Sequence, residues 1–499
     1  MQDWIELDSL HAVSDLHLGG HPGFQIFGST DELAWLIDAV RLRAQPGTHG
    51  FLINGDFVDF LAEAPCAYFD AEGAIDKLDA LWKRFAPIFE ALQRLVATPA
   101  RVLIVNLGNH DLELALPWVR AHLANRLAQG DAAARGRIVV IADGTGARCR
   151  VAGANVAALH GNEVDSWNVA DFERLRRIGR DRQLGLPSTD WVPNAGTRLV
   201  IDVMNGIKRD YPFVDLLKPE KQAVLPILAA LNPGVHRKLL DLAAIAGRRA
   251  WDIARMRTGF LEGDGVDGEA PAWRPAGLPL AAVALPAPGD DGGTLLADVE
   301  SAWRDNVAPM ALVRGLQAQR LDVWGAARGK LTGQPTHEVL RQALESLDRD
   351  GSFDPAVPDD TFRELDAMAG PAIHLVVAGH THLERSLPRQ RGRGHYFNSG
   401  TWARLMRIEP AVRADPVEFA KVFQVLDGGS MADLDAARVQ VGGVPREVVQ
   451  RRNSVVVIEP NGANALSRVR ASLQRVQPGA GSSPPSLVPA DAAMVWAGG

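Results

Sequence analysis

Cysteine is nearly absent. Cys66 and Cys149 are the two in 499 residues, too few for a disulfide framework or a thiolate metal cage, so reduced thiols are expected. A basic excess is missing too: 53 Lys+Arg against 60 Asp+Glu leave a net charge of −7. Nothing general therefore points to nucleic acid or an anionic membrane as partner. No apolar run approaches the roughly 18 residues that a membrane-spanning helix needs. The opening Met1-Gln2-Asp3-Trp4-Ile5-Glu6 has no basic region followed by an apolar core, so no signal peptide is expected. No internal repeat is present. The composition, 46% hydrophobic and 23% charged, is that of an ordinary globular protein. A soluble, cytoplasmic chain is the expectation, long enough for two or three domains or for one with a large insertion.

Five clusters of metal-ligand residue types stand just after apolar runs. They are Asp15-Leu16-His17, Gly55-Asp56-Phe57-Val58-Asp59, Gly108-Asn109-His110-Asp111, His160-Gly161-Asn162 and Gly379-His380-Thr381-His382. The runs before them, including Leu10 to Ser14, Phe51 to Asn54, Arg101 to Leu107, Asn155 to Leu159 and Ile373 to Ala378, read as buried strands. Between them lie helical patterns, near Thr30 to Arg43, Ile75 to Val96 and Leu112 to Leu127, the last perturbed by Pro117. Ile138 to Ala142 and Arg148 to Val151 look like paired strands about the turn Asp143-Gly144-Thr145-Gly146. Strand, polar loop, helix, strand is the grammar of an α/β fold, whose ligands sit at the carboxyl ends of the strands.

After Asp165 that rhythm stops. Helical spacing takes over near Asp171–Arg182, Lys221–Leu231, His236–Thr258, Leu296–Arg320 and Thr336–Leu347, with a Pro/Gly-rich loop over about 263–293. Strand grammar returns with Ile373–Ala378, His395–Asn398, Val422–Leu426 and Ser454–Glu459. The expected layout is a first part of the core over 1–165, a mainly helical insertion over 166–370, a second part of the core over 371–460 and a disordered tail over 477–499. The insertion leaves after His160 and returns before His380, so it is expected to form a lid over the clusters. Gly325 to Leu331 resembles a phosphate loop but is one residue short and lacks the Ser/Thr after Lys330.

Asp, His and Asn ligands without thiolate suit divalent ions such as Mn²⁺, Fe²⁺ or Zn²⁺. Asp15, His17, Asp56, Asn109, His160, His380 and His382 are too many for one tetrahedral ion and about right for two ions sharing a carboxylate. His110 is left for acid chemistry or for steadying a phosphoryl oxygen. Asp59 and Asp111 are expected to orient imidazoles. His11 and His374 read as structural, His395 as part of a solvated loop, and the run Arg174 to Arg182 as a solvated helix face.

The motifs Asp-x-His, Gly-Asp-x-x-Asp, Gly-Asn-His-Asp, His-Gly-Asn and Gly-His-Thr-His, in this order, resemble those of the calcineurin-like metallophosphoesterases. Tyr396-Phe397-Asn398-Ser399-Gly400-Thr401-Trp402 resembles the segment that often follows the last motif. The resemblance implies a four-layer αββα sandwich, here with the helical insertion added, and a two-metal centre. It places Asp15, His17 and His382 on one metal, Asn109, His160 and His380 on the other, Asp56 as the bridge and His110 as the catalytic histidine. The cofactors implied are two divalent ions, Mn²⁺ first, with Fe²⁺, Zn²⁺ or Mg²⁺ as alternatives. The expected substrate is a phosphorylated small molecule of nucleotide or nucleotide-sugar kind. Nucleic acid, a lipid-linked pyrophosphate met by peripheral membrane contact, and a non-catalytic scaffold for a protein partner are the competing readings.

Overall fold

The chain opens with two short strands that go to different sheets. β1 (Ile5–Leu7) pairs with β6 (Ala147–Val151), whereas β2 (Ser9–Val13) lies beside β3 (His49–Asn54). This is a computed structural model. It describes residues 4–217 except 189 and 209, residues 337, 338, 340 and 341, and residues 353–496 except 428, 429, 463–468, 482, 492 and 493.

In the larger sheet β2, β3, β4 (Arg101–Asn106) and β5 (Ile138–Ile141) run parallel. Ser454–Pro460, Val469–Gln477 and Ser486–Pro489 extend it antiparallel beyond β2. The smaller sheet has the order β1-β6-β7-β8-β10-β9, with β7 at Ala154–Ala158, β8 at Leu375–Ala378, β9 at Glu384–Pro388 and β10 at His395–Ser399.

Alternation of side chains along the strands stacks these sheets. Leu10, Ala12, Leu52 and Ile104 of the larger sheet meet Cys149, Val156, Leu375, Val377 and Phe397 of the smaller one in a shared core. The other faces are covered by helices. Val13, Phe51, Ile53, Leu103 and Val105 pack with residues of α1 (Thr30–Arg41), α2 (Ala74–Arg84), α3 (Ala86–Ala97) and α4 (Pro117–Ala128). Val376, Ala378 and Tyr396 pack against Phe362 and Leu365 of the helix Asp360–Met368. The result is the four-layer αββα sandwich. Parallel strands buried on both faces read as continuous apolar runs, which is why their ends were so visible.

Several expectations are corrected. The pattern over Ile75–Val96 forms two helices that break at Phe85, where Pro87 in the first turn of α3 has no backbone N–H to continue the preceding ladder. Leu112–Ala115 is a 3₁₀ turn, and the α-helix begins at Pro117. β5 and β6 do not pair with each other: β5 joins β4 in parallel, while β6 joins β7. The Asp143–Gly146 turn carries the chain across to the other sheet. Val422–Leu426 belongs to the helix Pro416–Leu426, whose buried Phe419, Val422 and Leu426 have helical spacing. In the expected disordered tail, Ser486–Pro489 and Met494–Trp496 are strands against Val469–Gln477.

The packing also redraws the expected insertion. Leu175 and Ile178 of the helix Phe172–Gln183 join the core cluster of α2 to α4, and Asp360–Met368 covers the smaller sheet. A separate cluster combines Trp167, Ala195, Val203, Phe213 and Leu217 with Met406, Phe419, Val439 and Val449. Part of the segment expected in the second half of the core therefore packs with residues 167–217 instead. The segments Lys221–Leu231, His236–Thr258 and Leu296–Arg320, the 263–293 loop and the imperfect phosphate loop lie outside the described residues. Among the described residues no helix is long and apolar enough to cross a membrane.

Phe89 of α3 stacks on Trp82 at a ring-centroid distance of 4.4 Å and meets Phe57, the residue after Asp56, at 5.7 Å. Phe89→Ala is expected to lower stability by about 3–5 kcal/mol, the usual range for a buried phenylalanine. Urea unfolding checks this, and a loss below about 1 kcal/mol would show that the helix layer does not support that loop.

Candidate metal centre

All five clusters meet at one edge of the sandwich, because parallel neighbours end on the same side. Asp15 and His17 follow β2, Asp56 and Asp59 follow β3, Asn109 and His110 follow β4, His160 follows β7, and His380 and His382 follow β8. Five of these residues have left-handed backbones: Asp15 (φ 53°), His17 (47°), Asp56 (52°), His380 (68°) and His382 (60°). Nine non-glycine residues among those described have positive φ, so the conformation is concentrated here. Such backbones cost of order 1–3 kcal/mol each and persist only where their surroundings hold them.

The surroundings do hold them. The backbone N–H of Asp15 donates to Gly55 O at 3.1 Å, and that of His17 to Asp56 O at 2.9 Å. His110 N–H donates to Asp56 Oδ1 at 2.9 Å, and His380 N–H donates to both Asp15 oxygens at 2.9 and 3.1 Å. Asn398 of the Tyr396–Trp402 segment donates from Nδ2 to Gly379 O at 2.7 Å. Gly108 is required sterically: a Cβ there would overlap Asp56 Oδ1 and come within 2.6 Å of the Asp56 backbone nitrogen.

Among the described residues the side chains form three groups, His17 with Asp59 and His110 and two others that share Asp56. Asp15, His17, Asp56 and His382 bring one ligand-type atom each to a common point, and Asp56, His160 and His380 do so at another. In the first, His17 Nε2 stands 3.0 Å from His382 Nε2, which is 3.2 Å from Asp15 Oδ1. In the second, His160 Nδ1 donates to Asn54 O at 2.7 Å, turning Nε2 toward Asp56 Oδ2 at 3.2 Å. His380 Nε2 meets Asp165 Oδ2 at 2.7 Å, which leaves Nδ1 to supply a lone pair. Asn109 Oδ1 is buried and lacks a hydrogen-bond partner, and its amide reaches Asn168 Oδ1 at 3.5 Å.

Asp59 lies between two imidazoles, with Oδ2 3.1 Å from His17 Nδ1 and Oδ1 3.1 Å from His110 Nδ1. Asp111 touches no imidazole, contrary to expectation. Its oxygens accept the Phe57 and Gly108 backbone N–H groups at 2.8 and 2.7 Å, so it ties two loops together. Burial and the nearby Asp56 charge push its carboxyl up to about 7.

Charge is concentrated at this edge. Burial opposes the ionisation of Asp15, but His160 and His382 outweigh it and bring the carboxyl down to about 2. Burial likewise opposes a charge on His160, yet Asp56 and Asp15 outweigh it and carry the imidazole up to about 10. Buried carboxylates facing imidazoles in this way make an environment that favours positive charge.

The calcineurin-like phosphoesterase family model matches residues 9–214. Residues 9–214 are therefore similar to a calcineurin-like phosphoesterase domain. Proteins of that family hydrolyse phosphoesters with divalent metals, and the donor set here fits such ions: nitrogen and oxygen without thiolate, with an orphaned amide oxygen beside them. The match continues past 165, consistent with the packing of Phe172–Gln183 on the core. The His380–His382 loop lies beyond the matched residues and is brought to the phosphoesterase domain by β7–β8 pairing. No curated protein matches the chain.

From the sequence Glu163 and Asp165 could either support a ligand or simply open the insertion; Asp165 meets His380, and Asn168 on the same loop has no motif to mark it. Three other histidines considered from the sequence lie elsewhere: His11 near Arg43, His374 accepting from the Asn155 N–H, and His395 bonded to Ser386 Oγ within the sheet rather than on a solvated loop. Arg176 and Arg177 pair with Glu173, Arg180 with Asp181 and Arg182 with Glu72.

Gly108→Ala is expected to cost about 1–3 kcal/mol, as overpacking does, and to lower retention of divalent metal by displacing Asp56. Metal analysis beside a melting curve checks both; unchanged values would show that the loops yield freely.

Proposed function

We propose that the chain is a two-metal hydrolase of phosphoric esters or anhydrides, acting on a small phosphorylated molecule. The observation that carries this reading is the place of Asp56 in two of the ligand groups, which suits one carboxylate bridging two ions. Asp15, His17 and His382 would complete one site, and Asn109, His160 and His380 the other. Divalent ions held there would lower the pKa of an attacking water and neutralise charge on the phosphoryl oxygens. Nitrogen and oxygen donors suit Mn²⁺ first, then Fe²⁺, Zn²⁺ and Mg²⁺.

His110 lines the cavity beside these ligands and takes the part of general acid. Burial pushes the Asp59 carboxyl up, but His110 and His17 outweigh it and hold it ionised. That carboxylate orients His110 through Nδ1 and stabilises the imidazolium, leaving Nε2–H for the leaving oxygen.

Purified in Mn²⁺, the protein should approach two ions per chain, and Asp56→Ala should lose both. Full occupancy in that variant, measured by elemental analysis, would sink the bridge. His110→Ala should keep its metal and lose roughly 10²–10⁴-fold in rate on an unactivated ester. The loss should be smaller with p-nitrophenolate, which leaves without protonation. Unchanged turnover on the unactivated ester would remove His110 from the mechanism.

A further inference from the structure

The cavity that adjoins the ligand groups has two unlike sides. One is His17, Asp59, His110 and His382. The other is Phe24, Ile26, Trp167, Leu199, Val200 and Met204, six apolar side chains from the loop after β2 and from residues 167–204. Trp167 and Met204 are buried, whereas Phe24 is 39% exposed, an apolar ring in contact with solvent. Lys208 is the one lysine or arginine among the described lining residues, and its Nζ already meets Asp215 Oδ2, another lining residue, at 2.7 Å.

We propose that the organic group of the substrate is uncharged and predominantly apolar, an alkyl or acyl-bearing alcohol rather than a nucleoside phosphate. This rests on the hydrolase reading above and departs from the nucleotide-like substrate expected from the sequence. A nucleoside diphosphate brings a second anionic phosphate next to the reacting one. Anions of that kind are held by unencumbered Arg or Lys, by a helix N-terminus or by a glycine-rich nest. Among the described lining residues Lys208 is neutralised by Asp215, Asn168 is bonded to Asp165 and Asn109, and the Gly196 N–H is taken by Trp167 O. Beside the apolar side chains a second phosphate would therefore lose hydration with little more than the backbone of Gly19 and Gly20 to meet it. An alkyl chain loses nothing on entering the same wall and gains about fourfold in affinity for each methylene removed from water. The polar side of the cavity takes the phosphoryl group, so a single negative charge beside a long apolar group matches both sides at once.

The test has a binding arm and a turnover arm, both on the full-length Mn²⁺-loaded protein. Calorimetry compares methyl-, butyl- and hexylphosphonate with thymidine monophosphate. Affinity is expected to rise two- to fourfold per methylene, with hexylphosphonate at least tenfold tighter than the nucleotide. Leu199→Ser should flatten that rise and Leu199→Met should restore it. Turnover is read with methyl, butyl and hexyl p-nitrophenyl phosphodiesters and with thymidine 5′-p-nitrophenyl phosphate, which share one leaving group. A flat chain-length dependence in binding, or tighter binding of the nucleotide, overturns the proposal. Absence of turnover on every ester by protein holding two metal ions overturns the hydrolase reading instead, while the binding arm still decides the chemistry of the cavity.

Discussion

Everything at the strand ends turns on the carboxylate of Asp56. Its backbone is left-handed, its carbonyl receives the His17 N–H, and its Oδ1 receives the His110 N–H. Its Oδ2 faces His160 and His17 at 3.2 and 3.6 Å. One residue therefore sets the positions of three loops from three strands. The strain of the left-handed backbones is offset by these bonds, each to a charged or buried acceptor and so stronger than a neutral surface bond. Gly108 supplies the space, and Asp111 fastens the Asp56 loop to the Gly108 loop from behind.

Burying Asp15, Asp56 and Asp59 together at the edge of an apolar sandwich is costly unless positive charge accompanies them. Protonated imidazoles meet that need when no cation does, which is why His160 is carried up to about 10. A bound ion takes over the same role and needs the neutral ring, so metal binding is coupled to release of protons. The electrostatics that hold the loops in place and those that select a cation are one arrangement. Removing a single carboxylate disturbs fold and site together.

The strand-end cluster was legible because each candidate ligand follows an apolar strand, so that a run of Val, Ile, Leu and Phe ends abruptly in Asp, Asn or His. The sandwich was legible for the same reason. What escaped detection depends on contacts between distant segments. Asp165 could be suspected as a supporting carboxylate but not given a partner, because its bond to His380 joins residues 215 positions apart. Asp111 sits beside Asn109 and His110 in sequence, but the strand-end turn points it at backbone amides. The separate cluster combines residues 167–217 with residues 406–449, and neither segment alone carries a signal of the pairing. Val422–Leu426 misled because a short apolar run fits a buried strand and a buried helix alike.

The loop from His160 to Asn168 gives the cavity wall its place. His160 belongs to the second ligand group, and Asp165 accepts from His380 of the same group. Asn168 donates to Asp165 Oδ2 at 2.9 Å and accepts from Asn109 at 3.5 Å. Trp167, between them in sequence, lines the cavity, and its carbonyl receives the Gly196 N–H at 2.8 Å. Gly196 has no side chain because Asn168 Oδ1 occupies the space a Cβ would take. The apolar wall thus rests on the same few residues that orient His380 and Asn109. Moving the wall outward would pull on Asn168, and through it on both of those side chains. Cavity wall and candidate ligand group are thus held by one short loop, through Asp165, Trp167 and Asn168.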